Sequence, residues 1–161
     1  MQIKHPEIYS IIESIAQHYR NNIANRYTRP VLTLLPLENA HWLQIEELTE
    51  KSDHYRYQGY HLDELYPMIV AMGKFIMLAR KQGLHMFKQS AALADGRMST
   101  QDKLFRDMAL SNFAANLNVL ADAVNKLYVK VVEIDREHAG SRPPILNRYP
   151  ELNELGRYLV E

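Results

Sequence analysis

The chain has 161 residues, nineteen basic and nineteen acidic side chains, and no cysteine. That length supports one domain able to bury its own core without a staple. The missing cysteines exclude disulfide frameworks, thiolate metal sites and cysteine nucleophiles together, and the charge balance leaves no global field for nucleic-acid backbones or anionic lipid.

The first residues, Met1-Gln2-Ile3-Lys4-His5-Pro6, lack the apolar run and small-residue cleavage site of a secretory leader. A first helix is expected over residues 6–25. Pro6 suits the first helical position, Glu7 complements the positive helix end, and Ile8, Ile11, Ile12, Ile15, Tyr19 and Ile23 form one stripe. Arg29-Pro30 ends it, and Val31 to Pro36 reads as a short extended segment over the bundle. A second helix is expected over residues 37–51, with Leu37, Trp42, Ile45 and Leu48 inward. The following stretch, residues 52–61, reads as a polar aromatic loop.

Helix three starts near Leu62 and runs to Ala94 across Pro67 and Gly83. Its middle, Met68 to Ala79, is apolar nearly all round, which predicts a central helix surrounded by others; at twelve residues it is too short for a bilayer, where roughly 20 are needed. Met68, Met72, Met77 and Met86 at helical spacing read as core filling. Asp95-Gly96 is expected to close this helix with a left-handed glycine, and Ser99 with Asp102 approximates a capping box for the next. The nine residues from Ala94 to Asp102 resemble the Ala-Asp-Gly-x-hydrophobic-Ser-x-x-acid turn of tellurite-resistance, TerB-like helical domains, which are implicated in metal-related stress. The second acidic cluster such a site would need is not evident, so no family is carried over.

The fourth helix, residues 100–138, holds the strongest signal. Leu110, Phe113, Leu117, Leu120, Val124, Leu127, Val131 and Ile134 recur at alternating spacings of three and four, a pattern that strands cannot use. The Gly140 to Pro144 segment breaks it, an extended polyproline-like path follows, and a last helix from Pro150 points Leu152, Leu155 and Leu159 inward. The fold expected is a single all-α domain over residues 1–161: an up-and-down bundle of four main helices with a short C-terminal helix.

Chemistry is harder to find. A di-iron bundle needs Glu-x-x-His on two helices, and the chain does not carry two; the related Asp135-x-x-His138 sits at a helix end with Asp135 beside the seam. No Gly-x-Ser-x-Gly and no glycine-rich phosphate loop is present. The arginines of residues 20–29 read as solvated helix-end charges rather than a nucleic-acid surface. Histidine ligands leave no local signature in a bundle, so His41, His54, His61 and His85 stand as candidates for a metal or small-ligand site, in an enzyme or a binding protein.

Two surfaces suggest protein recognition instead. Tyr55, Arg56, Tyr57 and Tyr60 crowd the loop after helix two, and tyrosine and arginine dominate binding hot spots; their alternative use is to lock the loop onto the bundle. The outer face of helix four, with Ala115, Val119, Asp122, Lys126 and Val129, is short of charge for a helix in water. Either other segments of the chain cover that face, Val31 to Leu37 or the C-terminal tail, or a second copy does, as a homodimer. The expected function is a non-enzymatic, cytoplasmic interaction module (adaptor, scaffold or regulatory subunit) with a protein partner, no cofactor, no nucleic acid and no membrane. The alternative is the histidine-based metal- or ligand-binding bundle.

Overall fold

The structure, a computed structural model, describes residues 4–159. Residues 1–3, part of the stretch read above for a leader, lie outside them. The chain is all-α. Its α-helices are α1 (Pro6–His18), α2 (Arg29–Leu32), α3 (Asn39–Glu50), α4 (Ser52–Gln58), α5 (Leu62–Leu78), α6 (Leu84–Ala94), α7 (Thr100–Ser111), α8 (Phe113–Ala139) and α9 (Leu155–Leu159). This is more segments than four main helices and a tail. No described helix is long and apolar enough to cross a membrane.

The seam of the longest helix is inward. Phe113, Leu117, Leu120, Val124, Leu127, Val131 and Ile134 are buried, and Leu110 packs partly against the same core. Helix α8 packs on α1 and α5, and α5 packs in turn on α3. Helix α5 is the central element: Leu65, Tyr66, Met68, Ile69, Ala71, Met72, Phe75 and Ile76 are buried on several sides at once. Met68 and Met72 are core filling, with Met77 and Met86 partly buried.

Five expectations need correction. The segment after Arg29 begins as a short helix rather than extended chain, and the turn leading into it is fixed locally: the Thr28 hydroxyl donates to Ile23 O, and the Asn25 side chain accepts from the amides of Tyr27 and Thr28. Residues 52–58 form helix α4, not a loop; it ends where Gly59 takes φ 75°, open to glycine at no steric cost. Gly96 is not left-handed; Asp95–Arg97 is a 3-10 turn instead. Helix four is broken at Asn112 into α7 and α8. The path after Pro144 tightens at once into a 3-10 turn, Ile145–Arg148. Other expectations hold: Ser99 Oγ accepts from the Asp102 amide at 3.1 Å, capping α7.

Two π-turns lengthen the helices, Tyr19–Ile23 after α1 and Ala79–Gly83 between α5 and α6. The second ends at a close approach. A Cβ on Gly83 would lie 3.2 Å from the Phe113 ring, which also stacks edge-on against Phe87 with centroids 4.8 Å apart. Arg80, within this turn, donates to Asn118 Oδ1 at 2.9 Å and to Tyr158 O at 3.1 Å, tying α5, α8 and the C-terminal segment together.

Candidate functional site

A buried polar arrangement gathers where α5 begins and α8 ends. Asp135 was read above as lying off the seam, yet it is only 2 % exposed. Tyr66 of α5 donates its hydroxyl to Asp135 Oδ2 at 2.6 Å, and the amides of Ile145 and Leu146 donate to the two carboxylate oxygens at 3.0 and 2.8 Å. The carboxylate therefore caps the 3-10 turn and clasps the returning chain to the bundle. Burial and the neighbouring carboxylate push the Tyr66 hydroxyl far above its ordinary range, so it stays a donor. With its oxygens so engaged, Asp135 anchors the returning chain to α5 and α8.

Beside it opens a cleft of about 510 Å³, lined by His61, Asp63, His138, Arg142, Arg148 and Pro143 among others. Arg148 and Asp63 approach to 3.7 Å with both side chains mostly exposed, a pairing of little energetic weight. His138 Nδ1 lies 2.9 Å from Ile134 O, so the ring donates there in one tautomer. Asp63 O, deprived of its helical partner because Pro67 has no amide hydrogen, accepts from the Tyr149 hydroxyl at 3.3 Å.

The four candidate histidines are dispersed. His61 lines the cleft just described. His41, on α3, lies in a separate hollow with Glu38, Lys74 and Glu151, and its Nδ1 finds no hydrogen-bond partner among the described residues. Burial, with the Lys74 ammonium, lowers its pKa below the usual histidine range. His54 is exposed on α4, edge-on to Tyr55, and His85 is exposed on α6. Among the described residues no group of three or more histidine, aspartate or glutamate side chains is placed to hold a metal ion.

The aromatic cluster divides. Tyr55 and Tyr60 are buried, Tyr55 directing its hydroxyl at Met68 Sδ 3.3 Å away, and both hydroxyls are raised well above their ordinary range by burial. They hold α4 to the bundle. Arg56 and Tyr57 stay outside, the guanidinium lying 5.5 Å from the Tyr9 ring centre and 5.6 Å from that of Tyr57. What sequence alone missed is Asp135. A signal did exist: Tyr128 and Val132 form an inward row beside the seam, and Asp135 is the next member of that row.

The outer face of α8 is bare. Val119 and Val129 are 53 % and 56 % exposed, and Ala115, Asp122 and Lys126 are exposed beside them. Among the described residues neither Val31 to Leu37 nor the C-terminal segment covers this face, contrary to the intrachain explanation; the residues of Val31–Leu37 that bury themselves do so in the core. Beyond the break at Asn112, Met108 and Leu104 of α7 are 52 % and 59 % exposed. Every residue of α7 keeps at least partial exposure. Compared with known protein families, with curated proteins and with solved structures, the chain gives no match.

Proposed function

We propose that the chain is a non-enzymatic helical interaction module, an adaptor, scaffold or regulatory subunit of the cytoplasm, whose contact surface is the outer face of α8 continued onto α7. The observation that supports this reading is the set of half-exposed apolar side chains, Leu104 and Met108 on α7 and Val119 and Val129 on α8. A helix facing only water carries charge there. Exposed apolar side chains of this kind mark interaction sites, and covering the exposed half of each contributes about 1 kcal/mol before association costs. The architectural half of the reading keeps the up-and-down order of four arms: α1, α3, α5 with α6, and α7 with α8.

The test is site-specific photo-crosslinking in the native cell. A photoreactive residue at Val119 or Leu104 should give discrete protein adducts, whereas the same group at Gln17, exposed on α1, should give none. Absence of adducts at Leu104, Val119 and Val129 alike overturns the reading.

A further inference from the structure

We infer that the occupant of this face is α8 of a second copy of the chain, packed antiparallel about a two-fold axis level with Val124. The inference rests on the contact surface proposed above and names its partner. Residues of an α-helix turn by about 100° each, which places Ala115, Val119, Asp122, Lys126, Val129 and Glu133 within about 40° of the direction opposite Val124. Val124 itself is fully buried in the core, so that opposite direction is outward.

The pattern along the face is symmetric about Val124. Val119 and Val129 stand five residues to either side of it, and Asp122 and Lys126 stand two residues to either side. A perpendicular two-fold axis at that level sets Val119 against the partner's Val129, and Asp122 against the partner's Lys126. Each contact occurs twice, as a closed two-fold interface requires. Apolar meets apolar, and acid meets base. The other closed two-fold arrangement runs the helices parallel, and there every residue meets its own copy: Asp122 would face the partner's Asp122, and Lys126 the partner's Lys126. The charge pattern therefore selects the antiparallel pairing and opposes the parallel one.

Both charges are free to pair between copies. Asp122 and Lys126 are four residues apart on one helix, yet neither makes an ion pair among the described residues. The neighbouring Lys130, by contrast, is held by Glu7 at 2.9 Å and Glu133 at 3.7 Å within the chain. At the edge of the contact the small side chain of Ala115 leaves room for the partner's Glu133.

Sedimentation equilibrium of the full chain, with charge reversals, tests this. The unaltered protein is expected to be dimeric in the micromolar range. D122K and K126D are each expected to weaken the dimer about tenfold or more by setting like charges together, while D122K/K126D recovers it; both sites are exposed, and unchanged circular dichroism verifies the fold. A short bis-maleimide should join V119C/V129C into a covalent dimer and leave V119C alone unjoined, since only a parallel pairing brings Val119 to itself. A monomeric protein, a dimer indifferent to the reversals, or joining through V119C alone overturns the antiparallel dimer. Photo-adducts at Val119 to a different protein, found with a monomer, would overturn this inference and leave the interaction module standing.

Discussion

The Tyr66 hydroxyl donates to Asp135 Oδ2 across 2.6 Å of the bundle interior, and the same carboxylate takes the two leading amides of the turn at Ile145 and Leu146. One side chain thus joins the central helix, the longest helix and the returning chain. Removing it strands three donors. Asp135→Ala is expected to cost about 3 kcal/mol of unfolding free energy, because unsatisfied buried groups forfeit their full desolvation cost. Tyr66→Phe strands one acceptor of several and should cost about 1–2 kcal/mol. In a double-mutant cycle by urea denaturation the two losses should fall short of adding; simple additivity would show that the contact carries no energy.

Pro67 and Tyr149 make a second, subtler pair. The proline withholds the amide that Asp63 O would otherwise accept, and Tyr149 supplies a hydroxyl in its place at 3.3 Å. Tyr149→Phe is expected to cost about 1 kcal/mol in the native chain. In a Pro67→Ala background the helix restores its own bond, and the same substitution should then cost little. Equal losses in both backgrounds would remove the link.

How much of this was written plainly in the sequence depends on the range of the interaction. The seam from Phe113 to Ile134 is a local pattern on one helix, and the residues that recur are the buried ones. The Ser99 cap is also local. Helix α4 was hidden because Tyr55 and Tyr60 are polar-tipped rings whose burial is decided by distant partners such as Met68, not by their neighbours in sequence. The break at Asn112 escaped for the opposite reason: the apolar spacing runs through it undisturbed from Leu110 to Phe113. Asp135 lies at the end of an inward row, but its partners are 69, 10 and 11 residues away, and no spacing rule reaches Tyr66. On the outer face of α8 the shortage of charge was legible, whereas the lack of a covering segment among the described residues needed the fold.

The arm formed by α7 should open before the rest. All its residues are at least partly exposed, so its helix draws on propensity and its cap more than on the core. Amide hydrogens of residues 103–111 are expected to exchange much faster than those of residues 117–135. Ser99→Ala removes the acceptor for the Asp102 amide and should cost this helix about 1 kcal/mol. Exchange in α7 should then quicken about fivefold while the global unfolding midpoint stays put. If α8 accelerates equally, the two helices unfold as one unit.

Alkali offers a test of the tyrosine core. Burial pushes the Tyr19 hydroxyl up to about 12, against a pull downward from Arg29, and burial raises Tyr55, Tyr60 and Tyr66 further. In an unfolded chain these groups ionise near pH 10. A raised value means the folded state holds its proton more tightly, so this part of the stability is intact below about pH 10. Above it the unfolded chain sheds protons that the folded chain keeps, and stability falls steadily as the pH climbs toward the folded values. The buried rings should therefore ionise together with unfolding, their tyrosinate absorbance rising as helical ellipticity collapses. Tyr19→Phe removes one such proton and should make the decline between about pH 10 and 12 shallower. Tyrosinate absorbance reaching its full value while the helices remain intact would mean that these four hydroxyls are open to solvent, and the clasp of Tyr66 on Asp135 would fall with that result.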